Sequence, residues 1–175
     1  MPIDLSFSLA MEVDAGAVAA LRNAAAEKLT RQYGQGNWSS LSTERGVLRD
    51  LARPKFQRTL LAWDGIARDS GEIVAALHLQ TKKPWGIDLR YFTPVKQALY
   101  LVGMAVHPDW QGKGVGRLMM KEGEKIAREW PGESIRLDAW NAQAGAGGFY
   151  AKCGFRERGR VVYRNAPLVY YEMML

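Results

Sequence analysis

A glycine-rich segment between an apolar run and an amphipathic helix constrains the fold of this chain more than any other feature. Gln97 to Val106 is apolar and rich in β-forming residues, which predicts a buried central strand. Gly114 to Glu129 places its apolar residues on one helical face, and Pro131-Gly132 predicts where that helix ends. Ser134 to Ala139 alternates apolar and polar residues, as a strand does. A strand–helix–strand crossover joins parallel strands, so these two strands should be parallel neighbours in one sheet.

The flanking sequence predicts further strands and helices around this unit. Strand-like runs occur at Ser6–Met11, Thr59–Trp63, Glu72–Leu79, Arg160–Tyr163 and Leu168–Met173. Asp14 and Thr43 are predicted to cap two helices, and a short helix should carry Tyr150. The sequence shows no internal repeat, low-complexity tract or linker, so we predict a single domain over residues 1–175.

Composition limits the environment and the partners. The net charge of +6, from 24 basic and 18 acidic residues, favours an anionic partner such as a phosphorylated cofactor. A single cysteine excludes an intrachain disulfide, and no stretch approaches the ~18–20 apolar residues of a membrane span. We therefore expect a cytoplasmic protein that does not bind a membrane. Two histidines and one cysteine do not support a zinc site, so no metal is expected.

The glycine-rich segment itself predicts a site for an anion. The first turn of a helix leaves backbone N–H groups unpaired and carries a partial positive charge. Gly112, Gly114 and Gly116 lack the side chains that would keep a diphosphate away from those amides. Lys113 and Arg117 add positive charge. A simple strand-to-helix turn without a ligand is the alternative interpretation.

Two other phosphate-binding loops do not match. A dinucleotide fingerprint starting at Gly112 would need glycine at position 117, where this chain has Arg117. A nucleotide-triphosphate loop needs Ser or Thr after the lysine, and Lys113 is followed by Gly114.

The pattern Gln111-x-x-Gly114-x-Gly116 behind Met104-Ala105-Val106 resembles the GNAT superfamily of acetyltransferases. The resemblance extends over nearly the whole chain. It implies a mixed, mostly antiparallel α/β sheet with one splayed parallel pair and helices on both faces. It also implies that acetyl-CoA is the co-substrate and that the strand segment Met104, Ala105 and Val106 binds the pantetheine arm. The pyrophosphate would be held by the loop residues Gln111, Gly112, Lys113, Gly114, Val115, Gly116 and Arg117.

A second segment, Asp138-Ala139-Trp140-Asn141 followed by Phe149-Tyr150 and Gly154-Phe155, resembles a later motif of that family. The resemblance implies that Asn141 contacts the cofactor and that Tyr150 is the general acid near its sulfur. The interval from Asn141 to Tyr150 is about two residues longer than is typical for the family. A core aromatic at a helix end is the alternative interpretation of Tyr150.

The resemblance therefore predicts an N-acetyltransferase that moves an acetyl group from acetyl-CoA to a primary amine by direct attack. The acceptor could be a small molecule or a peptide, and whether the chain forms a homodimer is left open. The base that deprotonates the amine is unassigned among Glu172, Asp138 and Tyr100. A non-catalytic acyl-CoA-binding or sensing module is the competing function. A nucleic-acid-binding domain would rest on charge alone, so no nucleic acid partner is expected.

Overall fold

The computed structural model describes residues 3–66 and 69–175. Within these residues the strands are β1 (Leu5–Leu9), β2 (Gln57–Asp64), β3 (Glu72–Gln80), β4 (Ala98–Val106), β5 (Ser134–Trp140), β6 (Arg156–Tyr163) and β7 (Ala166–Met174). The α-helices are α1 (Ala15–Tyr33), α2 (Glu44–Leu51), α3 (Val115–Glu129) and α4 (Gly147–Lys152). Residues 1, 2, 67 and 68, which the single-domain prediction includes, lie outside the described residues.

The strands form one sheet in the order β1-β2-β3-β4-β5-β7-β6. Strand β4 runs parallel to β5, whereas β1 with β2, β5 with β7 and β6 with β7 are antiparallel. The α3 helix is the crossover between β4 and β5, because a parallel neighbour can be reached only by a long connection. The predicted mixed sheet with one parallel pair is therefore confirmed.

The described chain divides into two compact units, which leaves the single-domain prediction untested. The first contains the residues up to His78 together with Gly103–Gly123. The second contains Leu79–Val102 and Glu124–Leu175.

The core of the first unit lies between α1, α2 and strands β2 and β3. Val18 and Leu21, one turn apart on α1, are buried in one cluster with Leu61, Trp63 and Ala76. This agrees with the helical spacing of apolar residues in the sequence. Burying a side chain of this size contributes roughly 1.5–3 kcal/mol, so this face fixes α1 on the strands.

Of the two predicted helix caps, the structure shows the one at Thr43 and not the one at Asp14. The Thr43 hydroxyl accepts a hydrogen bond from the Gly46 amide at 3.1 Å, which confirms the cap of α2. Asp14 immediately precedes α1, but its side chain makes no capping hydrogen bond to that helix. Its carboxylate accepts instead from the Met11 amide at 2.7 Å, so the predicted cap at Asp14 is wrong. The preceding turn competes for the same carboxylate, since it also has a backbone donor close by in the chain.

His78 is buried in the first unit with both ring nitrogens hydrogen-bonded. Its Nε2 donates to Gln57 Oε1 at 3.0 Å, so Nδ1 accepts from the Thr59 hydroxyl at 2.7 Å. The ring is 4% exposed. Burial, reinforced by the nearby Arg22 charge and only partly opposed by Asp50, lowers the pKa of His78 to about 4. The imidazole is therefore neutral in the folded protein at neutral pH.

This burial predicts a loss of stability in mild acid. Between pH 6.5 and 4 the unfolded chain binds a proton at His78 that the folded chain does not, so stability falls as the pH falls through that window. The loss should reach about 3 kcal/mol by pH 4. Urea unfolding of the wild type and of His78→Gln at pH 7, 6 and 5 measures it. An imidazole that titrates near 6.5 by NMR would contradict the prediction.

The second unit contains a buried ion pair between neighbouring strands. Arg136 Nε donates to Glu172 Oε1 at 3.0 Å, and both side chains are almost fully buried. The Thr93 amide and hydroxyl donate to the other oxygen at 3.2 and 2.8 Å, and Arg158 Nε lies 3.5 Å from it. Arg136 also donates to the Thr93 carbonyl. These bonds hold the segment before β4 against the sheet and use both oxygens of Glu172.

Candidate active site

The parallel pair at the centre of the sheet is very short. Its register joins Ala98–Tyr100 of β4 to Ser134–Arg136 of β5. In the described part of the chain, neither residues 101–106 of β4 nor residues 137–140 of β5 have partners in this parallel ladder. Val102 is 42% exposed although the three residues before it are buried. The ladder thus ends after three pairs, as a splayed pair requires.

Met104, Ala105 and Val106 form the last part of β4, in the first unit. Ala105 packs into the core of that unit, whereas Met104 and Val106 are half-buried. Just beyond β4, the His107 amide donates to the Val74 carbonyl of β3 at 2.8 Å. This bond ties the C-terminal end of β4 to β3.

A tight turn links β4 to the glycine-rich loop. The Trp110 amide donates to the His107 carbonyl at 2.8 Å, and the Asp109 amide donates to His107 Nδ1 at 3.3 Å. Gln111 Nε2 donates to the Val106 carbonyl at 3.0 Å. Gln111 therefore closes the turn and fixes where the loop leaves the strand.

Gly112 and Gly114 have left-handed backbone conformations, with φ of +75° and +88°. L-residues with a side chain rarely adopt these angles, so glycine is required at both positions. No heavy atom lies within 4 Å of the point where a Cβ would stand at either residue. The loop is thus shaped by backbone conformation, and the space beside it is open to a ligand.

The start of α3 presents unused amide donors next to that space. The Gly114 carbonyl accepts from the Arg117 and Leu118 amides at 3.1 and 3.2 Å, which places Gly114 at the helix cap. The amides of Val115 and Gly116 come earlier in the first turn, where a helix supplies no acceptors. The Val115 side chain is buried and anchors the turn, whereas Lys113 and Arg117 are exposed. Lys113 Nζ lies 5.2 Å from the centre of the Trp110 ring. The arrangement suits an anion.

Tyr150 lies on α4 in the second unit, in a cluster of aromatic rings. The ring centres of Phe149, Phe155 and Tyr171 lie 5.3, 5.7 and 6.3 Å from that of Tyr150. The Tyr150 carbonyl accepts from the Phe155 amide at 3.1 Å, which holds the end of α4 close to the next strand. Tyr150 is half-buried, and its hydroxyl makes no hydrogen bond within the part of the chain that the structure describes.

The pKa of Tyr150 is raised above its usual value. Burial is the main cause, and the neighbouring Cys153 and Asp138 raise the pKa further. The phenol therefore stays protonated at neutral pH and can donate a hydrogen bond.

Two glycines between Asn141 and Tyr150, Gly145 before α4 and Gly147 at its first residue, lie very close to other groups. A Cβ at Gly145 would lie 1.8 Å from the Trp140 carbonyl oxygen, and one at Gly147 would lie 2.7 Å from the Tyr171 hydroxyl. No side chain fits beside the Trp140 carbonyl at Gly145, so this segment folds tightly onto the end of β5. Asn141 is exposed, and its backbone N–H donates to the Pro167 carbonyl at 2.9 Å.

The three candidates for the base, Tyr100, Glu172 and Asp138, lie in different surroundings. Tyr100 is buried in the core cluster of the second unit with Ile87, Phe92 and Tyr170. The Glu172 carboxylate is already paired with Arg136 and hydrogen-bonded to Thr93. Asp138 is half-buried, and burial raises the pKa of its carboxyl group. Gly86 lies against this carboxylate, a contact that sequence reasoning missed. Its only signal was the Trp85-Gly86 pair in an irregular segment.

Two further classes of site were searched for. Among residues 3–66 and 69–175, no group of three or more His, Cys, Asp or Glu residues could hold a metal ion. None of the described helices is long and apolar enough to span a membrane.

Comparison with solved structures shows the same fold in several proteins of low sequence identity. The Salmonella typhimurium protein yncA, solved with its cofactor acetyl-CoA, is 16% identical with a TM-score of 0.70, covering 98% of this chain and 94% of its own. The PaiA N-acetyltransferase of Thermoplasma acidophilum, solved with coenzyme A, is 14% identical with a TM-score of 0.70, covering 98% and 99%. The ribosomal-protein-alanine N-acetyltransferase of Brucella melitensis is 20% identical with a TM-score of 0.69, covering 97% and 99%.

Sequence comparison identifies the family. A curated relative, the aminoglycoside N(6')-acetyltransferase type 1 of Stenotrophomonas maltophilia, is 35% identical over 69 residues. That match covers 39% of this chain and 45% of the relative. The chain thus matches less than half of the length of the relative. The model of the acetyltransferase (GNAT) family matches residues 22–155, well over half of the sequence. The chain therefore belongs to the acetyltransferase (GNAT) family.

Proposed function

We propose that this protein is an N-acetyltransferase that moves the acetyl group of acetyl-CoA to a primary amine by direct nucleophilic attack. The observation that carries the proposal is the loop from Gln111 to Arg117, with two left-handed glycines, open space beside them and unused first-turn amides. Family membership and neighbours solved with acetyl-CoA or coenzyme A support this ligand.

The residues present fit acetyl-CoA in two ways. The amides at the start of α3, with Lys113 and Arg117, would hold the pyrophosphate. The end of β4, from Met104 to Val106, lies past the short parallel ladder and would pair with the extended pantetheine arm. When bound, the cofactor supplies an activated acetyl group and a thiolate leaving group. Asn141 is proposed as a further contact because of its place in the family motif.

Tyr150 is proposed as the general acid of the reaction. Its hydroxyl is protonated at neutral pH and has no hydrogen-bond partner among the described residues. A free thiol has a pKa of ~8.5, so a phenol of higher pKa would assist a departing sulfur chiefly by donating a hydrogen bond. The ring of Tyr150 would thus contribute to packing, and its hydroxyl would take part in the reaction.

The proposed acceptor is an amino group on a sugar-like small molecule. The curated relative is named as an aminoglycoside acetyltransferase, and it is 35% identical to this chain over 69 residues. An alkylammonium with a pKa of ~10.4 is only about one part in a thousand free base at neutral pH, which costs roughly 4 kcal/mol. The enzyme must therefore bind a cation and remove its proton.

Acetyl-CoA consumption over a panel of amines tests the proposal. The panel should contain neomycin and paromomycin, which differ in that one amine of neomycin is a hydroxyl in paromomycin. We expect release of the coenzyme A thiol with neomycin and a slower release with paromomycin. Binding of acetyl-CoA without release by any amine would instead identify a non-catalytic acyl-CoA-binding module.

A further inference from the structure

The last pair of the parallel ladder limits how far a bound cofactor can reach along β4. Strand β3 occupies one edge of β4, so an extended arm can pair with β4 only along the edge that faces β5. Tyr100 is paired with Arg136 of β5 on that edge, and the described residues of β4 beyond Tyr100 are free of this ladder. The arm can therefore use the strand only from residue 101 onwards.

The proposed position of the pyrophosphate fixes the direction of the arm. The loop at residues 111–117 follows β4 in the chain, so the arm would enter beside Val106 and run back towards the start of the strand. A strand advances about 3.3 Å per residue, which puts Val102 about 13 Å from Val106 along β4. Because the arm pairs with Met104 and cannot pass Tyr100, its acyl end would lie beside residues 101–103.

Val102 is the one residue among these three described positions with an exposed side chain. Leu101 is 5% exposed and Gly103 has no side chain, whereas Val102 is 42% exposed. If the ladder continued in the same register, Val102 would stand opposite Asp138. Asp138 is paired instead with Tyr170 on the other side of β5. Val102 therefore lies where β4 and β5 first separate, and its side chain is accessible there.

The chemistry of valine suits a residue that limits the size of a neighbouring group. Its side chain is branched at Cβ, so rotation about χ1 is restricted and the methyl groups cannot easily move aside. It has no polar atom, so it can pack against the methyl group of an acetyl thioester without bonding to the carbonyl oxygen. One additional methylene in an apolar pocket changes selectivity by about 10- to 200-fold, so a single rigid side chain can discriminate between acyl groups.

We propose that Val102 limits the length of the acyl group that this protein accepts, by contacting the methyl group of acetyl-CoA and obstructing a longer chain. This inference rests on the proposed function, which places the pantetheine arm along β4, and it adds the choice of acyl group to that function. A smaller side chain at position 102 should admit propionyl and butyryl groups. A larger one should exclude the acetyl group as well, without affecting coenzyme A that carries no acyl group.

The test is calorimetric binding of coenzyme A, acetyl-CoA, propionyl-CoA and butyryl-CoA to the full chain. The wild type should bind acetyl-CoA at least about tenfold more tightly than butyryl-CoA, with propionyl-CoA between them. In Val102→Ala this ratio should fall below about threefold. In Val102→Phe the affinity for acetyl-CoA should fall at least about tenfold, while the affinity for coenzyme A stays within about threefold of wild type.

Val162→Phe is the matched control, because it makes the same change at a valine of β6 that is 74% exposed, and it should bind all four compounds like wild type. Binding of coenzyme A shows that Val102→Phe is folded, and if that binding is lost, Val102→Ala decides alone. Equal affinity of the wild type for acetyl-CoA and butyryl-CoA would overturn the inference and retain the proposed function. An unchanged ratio in Val102→Ala would do the same. Failure of the wild type to bind acetyl-CoA or coenzyme A would overturn the proposed function and this inference with it.

Discussion

Replacing Tyr150 by phenylalanine is expected to lower turnover by ~100- to 10,000-fold while leaving acetyl-CoA affinity nearly unchanged. The substitution removes only the hydroxyl and keeps the ring, which packs against Phe149, Phe155 and Tyr171. Because the hydroxyl has no hydrogen bond within the described residues, its removal leaves none of their groups unpaired. The fold should therefore be retained, and the effect should appear in kcat.

Steady-state kinetics with an acceptor that the amine screen identifies provides the measurement. Tyr33→Phe is a matched control, because Tyr33 is exposed and its hydroxyl only accepts from Gln32 Nε2 on the surface. Turnover of Tyr150→Phe within about threefold of wild type would mean that Tyr150 serves packing alone. Departure of the thiolate would then depend on solvent.

Replacing Gly114 by glutamate is expected to abolish acetyl-CoA binding. The side chain would enter the open space beside the loop and place a carboxylate where the pyrophosphate is proposed to lie. It would also strain the backbone, because φ at this residue is +88°. Gly114→Ala separates the two effects, since it has the same strain and no charge.

The thermal shift produced by acetyl-CoA is the appropriate readout, because a ligand that binds only the folded state raises its melting temperature. We expect the shift to be absent in Gly114→Glu and present, though smaller, in Gly114→Ala. A full shift in Gly114→Glu would move the binding site away from this loop. Loss of the shift in both variants would mean that backbone conformation matters more than charge.

The fold could be predicted largely from local patterns in the sequence. The crossover from β4 through α3 to β5 follows from apolar runs of recognisable period separated by glycine and proline. The cap at Thr43 was predictable because a capping residue bonds to an amide only three positions away. These features depend on interactions between residues that are close in the chain.

The segment between β3 and β4 depends instead on contacts between distant residues. The segment from Lys82 to Pro94 has no periodic pattern, and its conformation is set by hydrogen bonds to Tyr170 and Glu172 more than seventy positions later. No local pattern in the sequence therefore predicts its conformation or the approach of Gly86 to Asp138. The roles of Tyr150 and Gly114 remain predictions that the variants above test, and the roles of Asn141 and the other loop residues remain proposals.

The early end of the parallel ladder also bears on how the protein avoids aggregation. Unpaired backbone groups of a strand can pair with strands of other molecules. At the outer edge of a sheet, such addition can repeat without limit. Here β4 and β5 are already flanked by β3 and β7 on their other sides. Because neither strand lies at the outside of the sheet, the early end of the parallel ladder creates no edge on which strands of other molecules could add without limit.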